Sequence, residues 1–301
     1  MPSKARPALG GQLQESGVIL SVVIITHNEE SNLGRTLASV QSLVADGRGE
    51  LIVVDCGSTD RTSEIAKSFG AKVFVEDWKG YAAQKNSAID KAEGDWILSL
   101  DADEEVSADL AAHLQCAATE VDLRPFAWAL TSGSATGFEN LRCDVDSLPV
   151  AFWITRKNYF LGRFIRHGGF YPDRKLRLFA RDGARFDETR VVHEDAHTDR
   201  STAIVKVGAL LHHSYPTLAD YIDHMNRYSS LGAEMAIAKG HRSFSLFNIV
   251  LRPIATFLHT YIFRLGFLDG REGLLLHLYH AVYVSWKYAK AWELTRKKES
   301  A

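Results

Sequence analysis

Cysteine is scarce in this chain: three among 301 residues, Cys56, Cys116 and Cys143, odd in number, widely spaced and without a C-x-x-C pair. That excludes a dithiol or cysteine-based structural-metal reading and makes a reducing cytoplasm the expected compartment. Net charge is nearly absent too, since 35 Lys+Arg against 37 Asp+Glu leave −2. A polyanion-coating protein is excluded, and no nucleic-acid partner is expected. No run of about 18 uninterrupted apolar residues occurs, so no transmembrane span is expected. Residues 1–17 lack the apolar core of a secretory signal and read as a flexible leader. There is no internal repeat. With 46% hydrophobic and 24% charged residues the remainder is ordinary globular composition, enough for one large domain or one domain with an appendage.

Strand-like apolar runs alternate with helical segments through the first hundred residues. VILSVVIIT (18–26), LIVVD (51–55) and WILSLD (96–101) suit buried parallel strands, and 72–75 is a further short one. Helices are expected over 31–44, 60–69 and 81–92, with Gly70 and Gly94 placed like C-caps. The alternation predicts an α/β fold with a Rossmann-like, mostly parallel sheet. From about Phe126 the pattern turns to short strands and loops, with apolar runs at 126–130 and 150–155. Residues 156–190 carry ten Lys/Arg against four acids, and a helical region follows Pro216.

In open α/β sheets ligands sit at the carboxyl ends of the strands. Three polar clusters meet that rule: Thr26-His27-Asn28-Glu29, Asp55-Cys56-Gly57-Ser58-Thr59-Asp60 and Asp101-Ala102-Asp103-Glu104. Singly, each could merely cap the helix that follows; three on one edge point to a site. Asp101-x-Asp103 sets two carboxylates within reach of one Mg²⁺ or Mn²⁺, with coordination positions left for phosphate oxygens. Neither G-x-G-x-x-G nor G-x-x-x-x-G-K-[ST] is present, which removes the dinucleotide-fingerprint and P-loop readings.

The ordered series SVVIITHNEE, LIVVDCGSTDRT and AAQKNSAIDKAEGDWILSLDADEEV resembles the inverting family 2 glycosyltransferases of the GT-A fold, over roughly residues 18–110. GGFYPDRKLRLF, RVVHED, LLHHSY and GFLDGREG look like the bacterial subgroup similar to lipopolysaccharide-core β-1,4-glucosyltransferases. The resemblance implies a GT-A domain over 18–215, with a nucleotide-sugar half (18–110) and an acceptor half (111–215), then a helical amphipathic extension over 216–301. It implies a UDP-sugar donor, with Asp55 accepting from the uracil, Thr26 and Glu29 bordering base and ribose, and Asp101 facing the ribose or sharing the metal. Asp103 would bind the divalent metal, Mg²⁺ or Mn²⁺, directly. Lys85 is a candidate donor contact, an ordinary solvent-facing lysine being the alternative. Glu194 is the candidate general base, with Asp195 beside it. His212, or its neighbour His213, would complete the metal site, simple hydrogen bonding being the alternative. Arg174 and Arg177 would clamp a diphosphate or an anionic acceptor, or else form a solvated basic face.

Residues 241–301 hold nine Lys/Arg against four acids, interleaved with aromatic and aliphatic residues. The pattern suits helices lying on an anionic membrane surface at the inner face of the cytoplasmic membrane, where a lipid-linked or glycan acceptor would be met. A buried helical hairpin or a contact in an oligomer explains it too. The functional expectation is transfer of a hexose, glucose above others, to a cell-envelope glycan; another nucleotide sugar, a polyprenyl-phosphate acceptor or a catalytically silent scaffold are the rivals.

Overall fold

The computed structural model describes residues 19–118, 149–189, 195–241 and 244–299. The leader 1–17, the apolar run 126–130 and Glu194 therefore lie outside the described residues. The first hundred residues form β1 (Leu20–Thr26), α1 (Leu33–Val44), β2 (Gly49–Asp55), α2 (Thr62–Ser68), β3 (Lys72–Val75), α3 (Tyr81–Asp90) and β4 (Trp96–Asp101). All four strands run parallel in the order β3-β2-β1-β4. Their residues alternate between two covered faces, and for that reason the runs are apolar throughout rather than every second residue. Val22 and Ile24 pack against Leu33, Leu37 and Val40 of α1 on one face, while Val23, Ile52 and Val54 meet Ala88 and Ile89 of α3 on the other.

Further along come β5 (Glu104–Val106), α4 (Ala108–Ala118), β6 (Ala151–Phe160), β7 (Arg163–Phe164), β8 (Asp173–Ala180), β9 (Arg185–Phe186), β10 (Ala196–His197), β11 (Thr202–Ile204) and β12 (Leu210–Tyr215). Of these strands, β9 and β10 form a separate antiparallel pair, and the others extend the first sheet in the order β4-β8-β6-β12-β5, with β7 and β11 also on β6, β8 antiparallel to β4 and β6, β12 parallel to β6, and β5 antiparallel to β12. One ten-stranded, mostly parallel sheet thus spans both halves expected from the sequence. The carboxyl ends of β1, β2, β4, β6 and β12 share one edge, because β6 and β12 run in the same direction as β4.

Two glycines differ in what they do. Gly70 has φ +77°, the left-handed geometry of a helix C-cap. Gly94 was expected to act likewise but instead permits a close approach: a Cβ there would lie 2.6 Å from Ser21 Oγ, which accepts a hydrogen bond from Gly94 N at 2.9 Å.

The chain ends in α5 (Leu218–Ala238), a helical arm containing α6 (Arg252–Phe257) between π-helical turns Phe247–Leu251 and Leu258–Phe263, a 3₁₀ turn Gly266–Asp269, and α7 (Gly270–Glu299). Thr217 and Asp220 form a reciprocal capping box at the start of α5. Small residues let α5 and α7 approach closely, with Ala233, Ala236 and Ala291 buried between them. The arm docks on the loop after β7: Asp269 accepts from Arg166 N at 3.2 Å and His167 N at 2.8 Å, and Gly168 lies against His277. Among the described residues, no helix is long and apolar enough to cross a membrane.

Candidate active site

Register alone brings the three strand-end clusters together, since Thr26 stands opposite Asp55 and Ile25 opposite Asp101. The first two loops then cross-link. Asn28, at φ +55°, donates its N–H to Ser58 Oγ at 2.8 Å and accepts from Thr59 N at 2.8 Å. Glu29 N donates to Thr62 Oγ1 at 2.8 Å, and Glu30 N to Asp60 Oδ2 at 3.2 Å. Asp55, only 2% exposed, accepts from Ser58 Oγ at 2.5 Å and Ser63 Oγ at 2.7 Å. Gly57, at φ +77°, makes the reversal that lets Ser58 reach back. The buried Thr26 hydroxyl has no protein partner. Half-buried Glu29 accepts from Asn32 at 2.8 Å. Burial raises its pKa above the ordinary carboxylate value, and the charges of Asp103, Asp60 and Asp101 push the same way.

The third cluster opens a chain of alternating charges through the sheet. Lys85 Nζ lies 2.6 Å from Asp101 Oδ1, Arg177 pairs with the other Asp101 oxygen and donates to Glu104 at 2.8 Å, and Arg156 meets Glu104 at 3.1 Å. Arg156 also contacts Asp173 at 2.8 Å; Lys175 is 4.0 Å from Asp173 and 3.0 Å from Asp195. Four acids and four bases thus neutralise one another where burial would otherwise make each charge costly. Burial works against the Asp101 carboxylate, but Arg177 and Lys85 outweigh it and hold its pKa well below the usual range.

Several expectations are corrected by this chain. Lys85 does not face solvent: it is 6% exposed, with its ammonium over the Phe186 ring at 5.1 Å. Arg177 is 4% exposed and serves as the counter-ion of Asp101 and Glu104, so it forms no solvated basic face; Arg174, on the same strand β8, is exposed. Asp101 is not joined with Asp103 and His212 in a metal cluster. Among the described residues no group of three His, Cys, Asp or Glu side chains is placed to hold a metal ion, because both Asp101 oxygens are turned to cations. Asp103 does meet His212, with Oδ2 3.2 Å from Nε2. Burial raises the Asp103 pKa, but the His212 imidazole and its hydrogen bond bring it below the ordinary value. Asn158 fixes the far side of that ring, Oδ1 to Nδ1 at 2.8 Å. His213 turns away to Glu105 at 3.0 Å and stacks on Tyr159 at 5.0 Å.

Sequence reasoning named Glu104 only as a member of its strand-end cluster and gave Arg156, Lys175 and Asn158 no role in the site. It also missed how Q-K-N on α3 is used: Gln84 accepts from Lys79 N at 3.2 Å, Lys85 reaches Asp101, and Asn86 grips Phe186 through its backbone N and O, both at 3.0 Å. An A-A-Q-K-N run on the helix preceding the D-x-D strand was the available signal. On the side to which His213 turns lies a cavity of about 270 Å³, lined by Arg35, Tyr159, Leu161, His213 and Tyr215 among others.

Acids and a histidine gathered on the carboxyl edge of a mostly parallel sheet define the class: an α/β protein with its candidate site at the strand ends, where open α/β sheets hold their ligands. Residues 21–121 match the family Glycosyl transferase family 2, so the chain carries a family 2 glycosyltransferase domain and the protein is a glycosyltransferase. Over its length it is similar to the lipopolysaccharide core biosynthesis glycosyltransferase LpsC of Rhizobium meliloti (strain 1021), 27% identical across 91% of this chain and 92% of that protein. Among solved structures it is similar to S. aureus TarS 1–349 in complex with UDP, 16% identical, covering 93% of this chain and 92% of that chain at a TM-score of 0.46. Another is glucosyl-3-phosphoglycerate synthase from Mycobacterium tuberculosis with Mn²⁺, UDP and phosphoglyceric acid, 32% identical over 30% of this chain and 34% of that chain, at a TM-score of 0.27.

Proposed function

We propose that this protein is an inverting hexosyltransferase that moves a hexose, glucose above others, from a UDP-sugar to a cell-envelope glycan acceptor such as lipopolysaccharide core. The observation that carries the reading is the Asp103–His212 pair at the sheet edge where Thr26 and Asp55 also end their strands. LpsC, similar along nearly its whole length, supports the direction of the acceptor. Asp55 and the unpartnered Thr26 hydroxyl border the nucleoside, and Glu29 closes that side.

A carboxylate and an imidazole are a donor set that suits Mg²⁺ or Mn²⁺ when diphosphate oxygens and water complete the shell, so Asp103 and His212 are the residues that would hold a cation. Such a cation offsets negative charge on the departing diphosphate. Asp101 serves this site as a neutralised anchor: paired with Lys85 and Arg177, it fixes the strand end from which Asp103 projects. In the transfer, an acceptor oxygen bonds to the anomeric carbon as the bond to diphosphate breaks on the opposite face, and a carboxylate takes the acceptor proton. Glu194 is the first candidate for that base. Asp195 is second, being already held by Lys175.

Isothermal titration with UDP, with and without Mn²⁺, and then with GDP tests the donor half. Manganese-dependent UDP binding that disappears in Asp103→Ala while thermal unfolding stays unchanged is the expected result; equal binding by the variant would remove the metal assignment. Glu194→Gln should keep UDP binding and lose transfer onto membrane extracts, and unchanged transfer would hand the base role elsewhere.

A further inference from the structure

The helical arm turns an apolar face outward. Phe247, Leu251, Ile254, Leu258 and Ile262, three or four residues apart, are each 40–59% exposed. At the tip the exposure rises: Phe263 is 77% exposed, with Leu265, Phe267 and Leu268 at 45–50%. Large side chains exposed in so continuous a stripe mark a binding surface. Leu265 adds a second sign. It adopts the left-handed conformation, φ +60°, which favours glycine, yet presents a large apolar side chain to solvent.

Charge decides the occupant. Two α7 lysines expected to face a membrane are turned inward: Lys290 donates to Asn226, Ser229 and Ser230 on α5, and the Lys287 stem packs on Gly232. Arg252 is bound to Tyr288. Three further arginines gather at the tip. Arg264, Arg271 and Arg166 are exposed and make no ion pair among the described residues. Of the acids nearby, Asp269 is buried and taken by His167, and Glu272 is taken by Arg163 at 3.6 Å. A second copy of this chain would bring the same stripe and the same arginines, with no matching acids. An anionic bilayer supplies both partners, acyl chains for the stripe and phosphates for the guanidinium groups.

We propose that the outward face of residues 247–271 seats in the interface of an anionic phospholipid bilayer, with Phe263, Leu265, Phe267 and Leu268 inserted and Arg166, Arg264 and Arg271 on lipid phosphates. The tip rests on the loop that follows β6 and β7, at the same sheet edge as Asp103. The cavity that includes Leu161 and Gly162 begins just before that loop, so the docked protein would face an acceptor held at the membrane. The surface itself does not depend on the donor reading above.

The test is sedimentation of the full chain with vesicles of phosphatidylcholine alone or mixed with phosphatidylglycerol, at low and high salt. Binding only to the mixed vesicles, weakened by salt, is expected. Arg264→Gln with Arg271→Gln should weaken it about thirtyfold, from about fivefold per arginine. Phe263→Ser with Leu268→Ser should abolish it while circular dichroism stays unchanged. Should that variant misfold, the arginine pair decides. The proposal is overturned by no phosphatidylglycerol-dependent binding, by arginine variants that bind like the parent, or by a vesicle-free dimer that Phe263→Ser with Leu268→Ser dissolves.

Discussion

The strand-end half and the helical arm handle charge in opposite ways. At the sheet edge, carboxylates that a sequence places at the surface of a ligand site are drawn into the protein and given fixed partners: Asp101 and Glu104 take cations from a distant strand and helix, and Asp55 takes serine hydroxyls. In the arm, Lys290, which amphipathic patterning places outside, folds inward to bind main-chain, amide and hydroxyl oxygens, and leucine and phenylalanine remain outside. Residue type therefore says less about exposure than partner supply does: a charge can be buried when a geometrically fixed partner waits for it, and an apolar face can stay out when no element of the chain covers it.

The difference can be broken where it is largest. Arg177→Met leaves Asp101 and Glu104 without their shared counter-ion inside the sheet, and urea unfolding should show a loss of about 3–5 kcal/mol. An unchanged midpoint and slope would mean that Lys85 and Arg156 suffice. Next comes the joint between the regions. A Cβ at Gly168, φ +70°, would lie 1.9 Å from His277 Cε1, so Gly168→Ala should cost about 1–3 kcal/mol by overpacking. Protease cleavage in the arm should rise before cleavage in the sheet does, and equal protection of both would show that the arm docks without this contact.

A smaller effect sharpens the electrostatic side. Glu76, at the end of β3, is bound by Lys91 at 2.5 Å and Ser87 at 2.8 Å. The Lys91 hydrogen bond, against a smaller opposing contribution of burial, lowers its pKa from 4.5 to about 2. Because the folded value lies below the unfolded one, its stabilisation is complete above about pH 4.5 and fades as pH falls toward about 2. The stability gap between the parent and Glu76→Gln should close over that window; a pH-independent gap would mean that packing, not charge, is involved. Smallest of all, Arg61 and Glu64 pair at 3.1 Å with both side chains more than 70% exposed. Arg61→Ala should leave unfolding unchanged within error, and a clear loss would show that exposed pairs matter here as buried ones do.

Much of the site was legible in the sequence because it is local to strand ends. Asp55 and Asp101 each end an apolar run, with Asp103 two residues further on, and parallel pairing of adjacent strands must then bring them to one edge. The choice of His212 over His213 was only half legible. Alternation along β12 sends neighbouring side chains to opposite sides, but which of the two meets Asp103 depends on the register of β12 against β6, set by residues more than fifty positions away. Arg177 and Lys85 were misread for the same reason. A charged residue looks solvent-facing until the partner that neutralises it is in view, and Asp101 lies 76 positions from Arg177.

Apolar periodicity and the order of turn signals thus fixed the parallel core, the edge on which the candidate site lies and the acids on it, since those depend on contacts between consecutive elements. Tertiary structure alone decided which charges are buried, which histidine joins Asp103 and which face of the arm is left uncovered. Those follow from desolvation and long-range pairing, whose energies depend on the distance between side chains in space and not on their separation along the chain.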